Sequence, residues 1–460
     1  MFGTAVRQLG YAWTMMSGRR FRIKDVRALV EDTRATMEAF GSPGEGSDDM
    51  LAAADPEIQE DLTKRRLRRT IRHARAEVPY YRGLESDDLA GIAPTPKQAL
   101  RGMSSAFVSE LARPAVLAHT TGTTGSPTLV WFSAYEIELM SSMAALAAML
   151  NGGLRSEHLW ANAISSRSIA QIVAERAVPM TGAGFVHLGM IDPRATLDRL
   201  ATPMHVPGKQ PLITHLNVTA SYLAALVQEA ERGGWSPRDF GLVEVTSGGE
   251  VLTDALRLRA EEALGARVYD GYSMTEIAPV TGRVCDDGHL HLPSDQGLIE
   301  VLDPDTMEPA GPDALGVLVV TPYSTFRDTT LLLRYVTGDL VRTLPEPPTC
   351  ALAAIPATSR VLGRAVDGDV TTRDVLDLLQ AEHALPLPTR FAVEDGILHV
   401  VSGKDDPALL GRLEERAAAT KLKGIVLVES PDDLPRPCHV RADLVEQSFE
   451  HAAHLPIGVR

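Results

Sequence analysis

The chain has 460 residues, which is more than one ordinary domain needs and enough for two or three. Hydrophobic residues make up 44% of the sequence, so the protein can bury a large core and falls outside the disordered class. The net charge of −15 argues against nucleic acid as a main partner, because binding to a phosphate backbone requires a basic face.

Cysteine usage and apolar runs predict a cytoplasmic protein without a membrane partner. The sequence has only three cysteines, Cys285, Cys350 and Cys438, and a low, odd number is typical of a reducing compartment. The first residues lack the basic start, long apolar run and cleavage site of a secretory signal. The best apolar run, MAALAAML, is far shorter than the roughly 20 residues that cross a bilayer. The oligomeric state stays open, with a homodimer among the states allowed.

The first predicted element is a helical region over residues 1 to about 80. Its clearest segment, DPEIQEDLTKRRLRRTIRHARAEVPYYRGL, has an Asp-Pro start, apolar residues at helical spacing and a proline stop. Between about 115 and 340, short apolar runs then alternate with longer amphipathic segments. The strand-like runs are RPAVLAHT, PLITHLNV, FGLVEVTSGGE and GARVYDGYS, and the helix-like ones include SYLAALVQEAERGG and LTDALRLRAEEALG. This alternation predicts a mostly parallel sheet flanked by helices, with ligands at the loops after the strands.

Beyond about residue 290 the pattern changes to short, closely spaced strands. LIEVLDP, LGVLVVTPY and LLLRYVTGDLVRTL predict an antiparallel β element. After a proline-rich break, the last hundred residues mix the strands FAVEDGILHVVS and GIVLVES with the helix DPALLGRLEERAAATK. They predict a small separate α+β domain, so the fold class as a whole is α/β.

The stretch HTTGTTGSPT, residues 119–128, is built almost entirely of hydroxyl residues and glycine. Such a loop offers backbone N–H groups and hydroxyl donors in tight conformations, which suits a polyphosphate. It is not a Walker A loop, because the Gly-Lys-Ser/Thr ending is absent. From composition alone, a phosphate cradle and a plain turn between strands both remain open.

Three further stretches follow in order: VYDGYSMTE (268–276), RYVTGDL (334–340) and GRAVD (363–367). Together with TTGTTGSPT they resemble the core motifs of the adenylate-forming superfamily, and the chain looks most like its phenylacetate–CoA ligase branch. RRTIRHARAEVPYYRGL and SGGEVLTDALRLRAEEALGARVYDGYSMTE are similar to segments of that branch. The resemblance covers about residues 65 to 367. It implies a large N-terminal domain (1–362), with a helical part (1–100) and a nucleotide-binding core (101–362), and a small mobile C-terminal domain (363–460).

The resemblance also implies a role for each motif residue. ATP and Mg²⁺ would be held by residues from all four motifs. Glu276 would bind the metal, and Thr275 would hydrogen-bond the α-phosphate. Tyr272 would stack on adenine, Asp339 would accept hydrogen bonds from the ribose hydroxyls, and Arg364 would lie at the hinge. The phosphate loop would comprise Thr120, Thr121, Gly122, Thr123, Thr124 and Gly125, and Gly248, Gly249 and Glu250 would pass along the base. A carboxylate is a hard ligand that suits Mg²⁺ beside phosphate oxygens.

The implied reaction is attack of a carboxylate on the α-phosphorus of ATP, giving an acyl-adenylate and pyrophosphate. We expect the acid to bind between the loop after ANAISSRSIA, the strand end near 215–217 and the segment 271–273, with His215, Gly271 and Ser273 as candidate contacts. The side chains of these segments are mostly small and polar, so we expect a small acid, aromatic or amino-acid-like, rather than a long acyl chain. A second nucleophile would then displace AMP. The acceptor stays open between an amine, a carrier-protein thiol and CoA, and loss of catalysis with retained nucleotide binding is a further alternative.

The C-terminal sequence departs from the family pattern. The family's catalytic lysine lies in a segment like Leu-Pro-Arg-Ser-x-Gly-Lys, which reads LPRPCHVRADLV here, so its position falls on Val440. Arg441 is cationic but has a planar fork that is not equivalent to lysine. The hinge sequence GRAVDGDVTTRDV keeps Asp367 but lacks the glycine-rich turn that approaches a thiol.

The stretch CDDGHLH supplies Cys285, His289 and His291, and Cys350 comes later in PEPPTCAL. Some members of the phenylacetate–CoA ligase branch carry zinc at a Cys/His hairpin and a later pair of cysteines. In this sequence Cys350 would be the first cysteine of that pair, and Leu352 occupies the position of the second. Two thiolates and one or two imidazoles can complete a tetrahedral zinc site. The alternative is a buried cysteine beside exposed hairpin histidines.

Overall fold

The computed structural model describes residues 2–41, 56–120, 128–367, 370–435, 439–440 and 456–458. Its α-helices are α1 (Phe2–Ser17), α2 (Ile23–Phe40), α3 (Pro56–Glu77), α4 (Lys97–Gly102), α5 (Ala134–Leu150), α6 (Ile169–Met180), α7 (Pro193–Ala201), α8 (Ala220–Gly233), α9 (Asp254–Leu264), α10 (Thr372–Gln380) and α11 (Pro407–Ala417). The predicted helical start of the chain is confirmed by α1, α2 and α3. Within these segments, every helix is too short or too polar to cross a membrane.

An eight-stranded sheet forms the centre of the fold, in the order β13-β9-β8-β7-β6-β5-β3-β4. Its strands are β3 (Leu159–Ala163), β4 (Gly184–His187), β5 (His215–Val218), β6 (Glu244–Gly248), β7 (Arg267–Ser273), β8 (Thr281–Val284), β9 (His289–His291) and β13 (Ala357–Ser359). From β4 to β7 the pairing is parallel, and β8, β9 and β13 add antiparallel strands at one edge. The predicted mostly parallel sheet is therefore confirmed.

The helix-like segments pack as the sequence pattern predicts. Leu216, Val245 and Val268, on three adjacent parallel strands, share one apolar cluster with Leu223 of α8 and Leu256 of α9. These side chains are all almost fully buried. Because apolar surface contributes roughly 25 cal/mol per Å² buried, this layer is a main source of the large domain's stability.

Two smaller antiparallel sheets flank the centre. One contains β10 (Gly297–Leu302), β11 (Leu315–Pro322) and β12 (Tyr335–Arg342), as predicted. The other pairs β1 (Pro114–His119) with β2 (Leu129–Ser133). The prediction that RPAVLAHT belongs to the parallel sheet is wrong, because the connection from β1 to β2 is too short for the dozen or more residues that a parallel crossover needs.

The C-terminal part forms a small α+β unit with its own core. β16 (Phe391–Glu394) and β17 (Ile397–Val401) form a hairpin, and β18 (Gly424–Val428) joins it in parallel. Apolar side chains of α10 and α11 pack on this sheet. The short pairs β14 (Ala365–Asp367) with β15 (Val370–Thr371), and β19 (His439–Val440) with β20 (Pro456–Gly458), complete the described strands.

Candidate active site

A cavity with a volume of about 930 Å³ lies at the carboxyl ends of the parallel strands. Asn217, Thr246 and Gly271, from β5, β6 and β7, form its floor. Helices α5 and α6 form a second wall, and Asp339, Arg364 and residues of α10 form a third. Ligands of open α/β sheets bind at this edge, so the cavity is the candidate site.

Tyr272 and Asp339 meet in this cavity from different sheets. The Tyr272 hydroxyl donates a hydrogen bond to Asp339 Oδ2 at 2.9 Å, and Arg364 Nε lies 3.7 Å from Oδ1. Burial raises the pKa of Asp339, while Arg364 acts in the opposite direction by favouring the carboxylate. Asp339 follows Gly338, whose φ of +81° suits glycine. A carboxylate held this way can still accept hydrogen bonds from a diol such as a ribose.

Glu276 is fully buried in the cavity wall. Its Oε1 accepts a hydrogen bond from the Tyr335 hydroxyl at 3.2 Å and lies 3.0 Å from Lys97 Nζ. Its Oε2 is buried without a hydrogen-bond partner among the described residues. Arg327 fixes the loop behind by bonding the carbonyl oxygens of Glu276 and Ala278. An unpaired buried carboxylate oxygen is costly, and a hard divalent cation would satisfy it.

Lys97 is a site residue that the sequence analysis missed. It begins α4 and its side chain is only 16% exposed, because it points into the cavity toward Glu276. Two backbone hydrogen bonds hold the preceding Thr95 against β12, from Thr95 N to Arg334 O and from Val336 N to Thr95 O. A single lysine after a proline carries no motif, so only the tertiary packing reveals its contact with Glu276.

The turn after β6 borders the same cavity. Gly249 has a φ of +78°, which favours glycine, and the Glu250 carboxylate accepts a hydrogen bond from Ser221 N at 2.7 Å. Gly249 and Glu250 line the cavity. Gly248 lies just behind, where a Cβ would be 3.2 Å from the carbonyl oxygen of Gly271. The structure thus brings this turn beside Tyr272, and its contact with a base stays a prediction.

Of the phosphate-loop residues, Thr120 is described and lines the cavity, as does Thr275. Thr120 N donates to Thr128 O at 3.1 Å, and Thr128 N donates to Thr120 Oγ1 at 3.0 Å. Thr121, Gly122, Thr123, Thr124 and Gly125 lie outside the described residues. Their phosphate contacts remain predictions, and the two ends of the loop meet at the rim of the cavity.

Two of the three proposed substrate residues line the cavity, namely Gly271 and Ser273. The structure does not bring His215 there. His215 lies at the amino-terminal start of β5, is 2% exposed, and stacks on Trp160 beside His158. Burial lowers the pKa of His215 to about 4, so its imidazole is neutral near pH 7. Asn217, two residues nearer the carboxyl end of the strand, does line the cavity.

Cys285, His289, His291 and Cys350 form a cluster apart from this cavity, with ligand atoms all within 4.8 Å of one another. Cys350 Sγ lies 3.2 Å from His291 Nε2, and His291 Nδ1 donates to Ile355 O at 3.1 Å. That backbone bond leaves Nε2 unprotonated and directed at the thiols. His289 Nδ1 is buried with no hydrogen-bond partner in the described chain. Two thiol ligands, which are soft, and two imidazole ligands, which are borderline, are typical of a zinc site.

The C-terminal unit contributes directly to the cavity. Thr372, Arg373, Leu376 and Gln380 of α10 line it. Arg373 donates to the carbonyl oxygens of Leu252 and Val361, and Thr253 Oγ1 donates to Gln380 Oε1 at 2.5 Å. Asp367 ends β14 and Val440 ends β19, whereas Arg441 lies outside the described residues.

The fold is shared with solved structures of adenylate-forming ligases. The solved structure of 2-hydroxyisobutyryl-CoA ligase in complex with 2-HIB-AMP is similar to this chain with a TM-score of 0.67 and 19% identity, covering 86% of this chain and 91% of that one. The model of the AMP-binding enzyme family matches residues 19–328. The chain therefore belongs to the AMP-binding enzyme family and is an ATP-dependent, AMP-forming ligase.

Sequence relatives agree with the branch predicted from the motifs. A phenylacetate-coenzyme A ligase of Thermus thermophilus is 28% identical over 334 residues, which are 66% of this chain and 70% of the relative. A phenylacetate-coenzyme A ligase of Pseudomonas putida is 30% identical over 309 residues, or 61% of this chain and 65% of the relative. The resemblance to this branch is thus confirmed.

Proposed function

We propose that the chain activates a carboxylic acid as its acyl-adenylate in the cavity described above and then transfers the acyl group to a thiol. The observation that carries this proposal is the meeting of Glu276, Lys97 and the Tyr272–Asp339 pair in one cavity at the ends of the parallel strands. These groups supply a metal ligand, a cation and a diol acceptor.

In the first step a carboxylate oxygen of the acid attacks the α-phosphorus of ATP, and the bond to the bridging oxygen breaks. Pyrophosphate leaves with that electron pair, and the acyl group becomes bonded to AMP. Tyr272 stacks on adenine, Asp339 accepts hydrogen bonds from the ribose, and Thr120 and Thr275 donate to phosphate oxygens. Catalysis of this kind consists mainly of positioning and charge neutralisation.

The residues present fit a magnesium ion. Glu276 offers a buried Oε2 with no hydrogen-bond partner in the described segments, directly in the cavity wall. Mg²⁺ prefers one or two carboxylates together with phosphate oxygens. When bound, it would neutralise phosphate charge and so favour departure of pyrophosphate.

Lys97 provides the second cation at this site. Its ammonium group lies 3.0 Å from Glu276 and within the same cavity, so a phosphate or carboxylate oxygen bound beside Glu276 would be in its reach. In the sequence, the position of the family's C-terminal catalytic lysine is Val440. A lysine from α4 can therefore supply the charge that the C-terminal segment lacks.

For the second step we favour CoA as acceptor, because both relatives above are phenylacetate-coenzyme A ligases. The thiolate attacks the acyl carbon, the bond to AMP breaks, and AMP leaves with the electron pair. The second candidate is transfer to an amine or a carrier-protein thiol. It is favoured by the hinge sequence GRAVDGDVTTRDV, which lacks the family's glycine-rich turn.

The Cys/His cluster is proposed to hold a structural zinc ion that joins β9 to the segment around Cys350. The clustering of four ligand atoms within 4.8 Å and the unpartnered His289 Nδ1 among the described residues support it. Purified protein should contain about one zinc per chain, lost in the Cys285→Ser/Cys350→Ser variant. Less than a tenth of an equivalent in unchelated wild-type protein would reject the site.

The adenylation proposal is tested by exchange of radiolabelled pyrophosphate into ATP with a panel of aromatic, aliphatic and amino acids. We expect exchange that depends on the acid, and CoA thioester formation with the best acid. Binding of ATP without exchange for any acid would contradict the proposal and favour the binding-protein alternative. Adenylation with no thioester would favour the second acceptor class.

A further inference from the structure

Two helices line the cavity with long apolar stripes. On α5 the lining residues follow a helical spacing of three and four, so they share one face: Met140, Met143, Ala144, Ala147 and Ala148. On α6 the lining residues also share one face: Ile169, Ala170, Val173, Ala174, Ala177 and Val178. The two helices pack on each other through Ala145, Met149 and Ala177, and the cavity follows the seam between them.

These eleven side chains are all methionine, alanine, isoleucine or valine. Six of them are alanines, which leave room along the seam that larger side chains would fill. None can pair with a charged group, so the stripes offer nothing to the ammonium group of an amino acid. This part of the cavity therefore selects an apolar group.

The length of the stripes sets the length of the group. Met140 and Ala148 are eight residues apart on α5, which at 1.5 Å per residue corresponds to about 12 Å. Trp160 lies at the far end, packed with Leu154, Val178 and Ala183. A zigzag alkyl chain with C–C bonds of about 1.5 Å advances about 1.3 Å per carbon, so about nine carbons fill this distance.

We propose that the acid activated by this protein carries an extended, unbranched apolar chain of about nine carbons beyond its carboxyl group, lying along the α5–α6 seam with its end at Trp160. The proposal rests on the proposed adenylation, which requires the carboxylate beside Lys97 and Ser273 in the same cavity. It differs from the expectation of a small aromatic or amino-acid-like acid, which considered the strand ends and not the helix faces above them.

The first test is a series of straight-chain acids from acetate to dodecanoate, with phenylacetate for comparison, in the pyrophosphate-exchange assay. Each methylene buried along the seam should raise kcat/KM by about fourfold, up to about decanoate, where Trp160 ends the space. Preference for phenylacetate or acetate over octanoate and decanoate would overturn the proposal and leave adenylation itself intact.

The second test narrows the seam. Ala174→Leu should lower the ratio of kcat/KM for decanoate to that for butanoate by about tenfold or more, because the added side chain fills the space of several chain carbons. Ala134→Leu is the matched control, since Ala134 is exposed at the start of α5 and does not line the cavity. An unchanged ratio in Ala174→Leu would also overturn the proposal.

A third measurement does not depend on catalysis. Decanoate binding to the wild-type protein by titration calorimetry should be detectable and should be weakened in Ala174→Leu but not in Ala134→Leu. If no acid supports exchange but decanoate binds in this way, the adenylation proposal is rejected and the proposal of an apolar chain in the seam is retained. If exchange occurs with other acids but decanoate does not bind, the seam is rejected and adenylation is retained.

Discussion

At the scale of single residues, two neighbours hold the Asp339 carboxylate that we propose binds the ribose hydroxyls. The Tyr272 hydroxyl donates to it at 2.9 Å, and Arg364 keeps a positive charge 3.7 Å away. Hydrogen bonds to a charged acceptor are worth about 1.5–3 kcal/mol, so the Asp339→Ala variant should bind ATP about 10- to 100-fold more weakly by calorimetry.

The control for that experiment is Tyr272→Phe, which keeps the ring for stacking and removes only the hydroxyl that donates to Asp339. We expect its loss of ATP affinity to be clearly smaller than that of Asp339→Ala. Equal ATP affinity of Asp339→Ala and wild type would contradict the assignment of Asp339 to the ribose.

Lys97 carries a second prediction at this scale. Removing one well-placed charge contact from a reacting centre costs about 3 kcal/mol or more, so Lys97→Met should lower the exchange rate about a hundredfold. Lys24→Met is the control, since Lys24 is exposed on α2. A Lys97→Met variant with the wild-type exchange rate would show that the ammonium group takes no part in charge neutralisation.

The contrast between the Tyr272–Glu276 segment and Lys97 shows how far the sequence alone could predict the candidate site. Tyr272, Thr275 and Glu276 are neighbours in one short segment, so their meeting follows from local geometry. Lys97 meets Glu276 only because Thr95 pairs with β12. That contact joins segments far apart in the chain, and no local pattern encodes it.

At the scale of elements, alternation of short apolar runs and amphipathic segments correctly predicted the parallel strands β5, β6 and β7 and the helices α8 and α9. It failed for β1, because periodicity does not distinguish a strand of the central sheet from one in a separate hairpin. It also could not predict depth along a strand. His215 and Asn217 lie in the same strand, yet only Asn217 reaches the carboxyl end where the cavity opens.

The buried start of β5 gives a prediction about stability and pH. His215 has a pKa lowered from 6.5 to about 4 by burial, mainly beside His158 and Trp160. Between these values the unfolded chain binds a proton that the folded chain does not, so the free energy of unfolding falls as the pH falls. Between pH 7 and pH 4.5, the free energy of unfolding should therefore fall by about 2 kcal/mol less in His215→Phe than in the wild-type protein.

Urea unfolding at the two pH values measures this difference. The His158 imidazole, whose pKa burial also lowers, remains in both proteins. His205→Phe is the control for the substitution itself, because His205 is exposed. An identical pH dependence in His215→Phe and wild type would contradict the neutral, buried state of this imidazole.

At the scale of the whole molecule, the cavity is completed by parts that are distant in sequence. Helix α10 of the C-terminal unit closes one side, held by Arg373 on two carbonyl oxygens of the large domain and by the Thr253–Gln380 hydrogen bond. The sequence predicted a separate α+β unit from its strands and helix. It did not predict this docking, since Arg373 and Gln380 belong to no recognisable motif.

The C-terminal unit also gives the most discriminating prediction, which rests on the resemblance of LPRPCHV to the family segment that would place Val440 at the catalytic lysine position. If Lys97 already supplies the cation, a second ammonium group in the C-terminal segment has no unmet charge to neutralise. Val440→Lys should then leave the pyrophosphate-exchange rate within a few-fold of wild type, as should the uncharged control Val440→Met. A rise of about tenfold or more in Val440→Lys alone would correspond to at least about 1.4 kcal/mol of new transition-state stabilisation. It would mean that Lys97 does not supply all the positive charge that the reaction needs. It would also mean that the C-terminal segment still reaches the reacting phosphate.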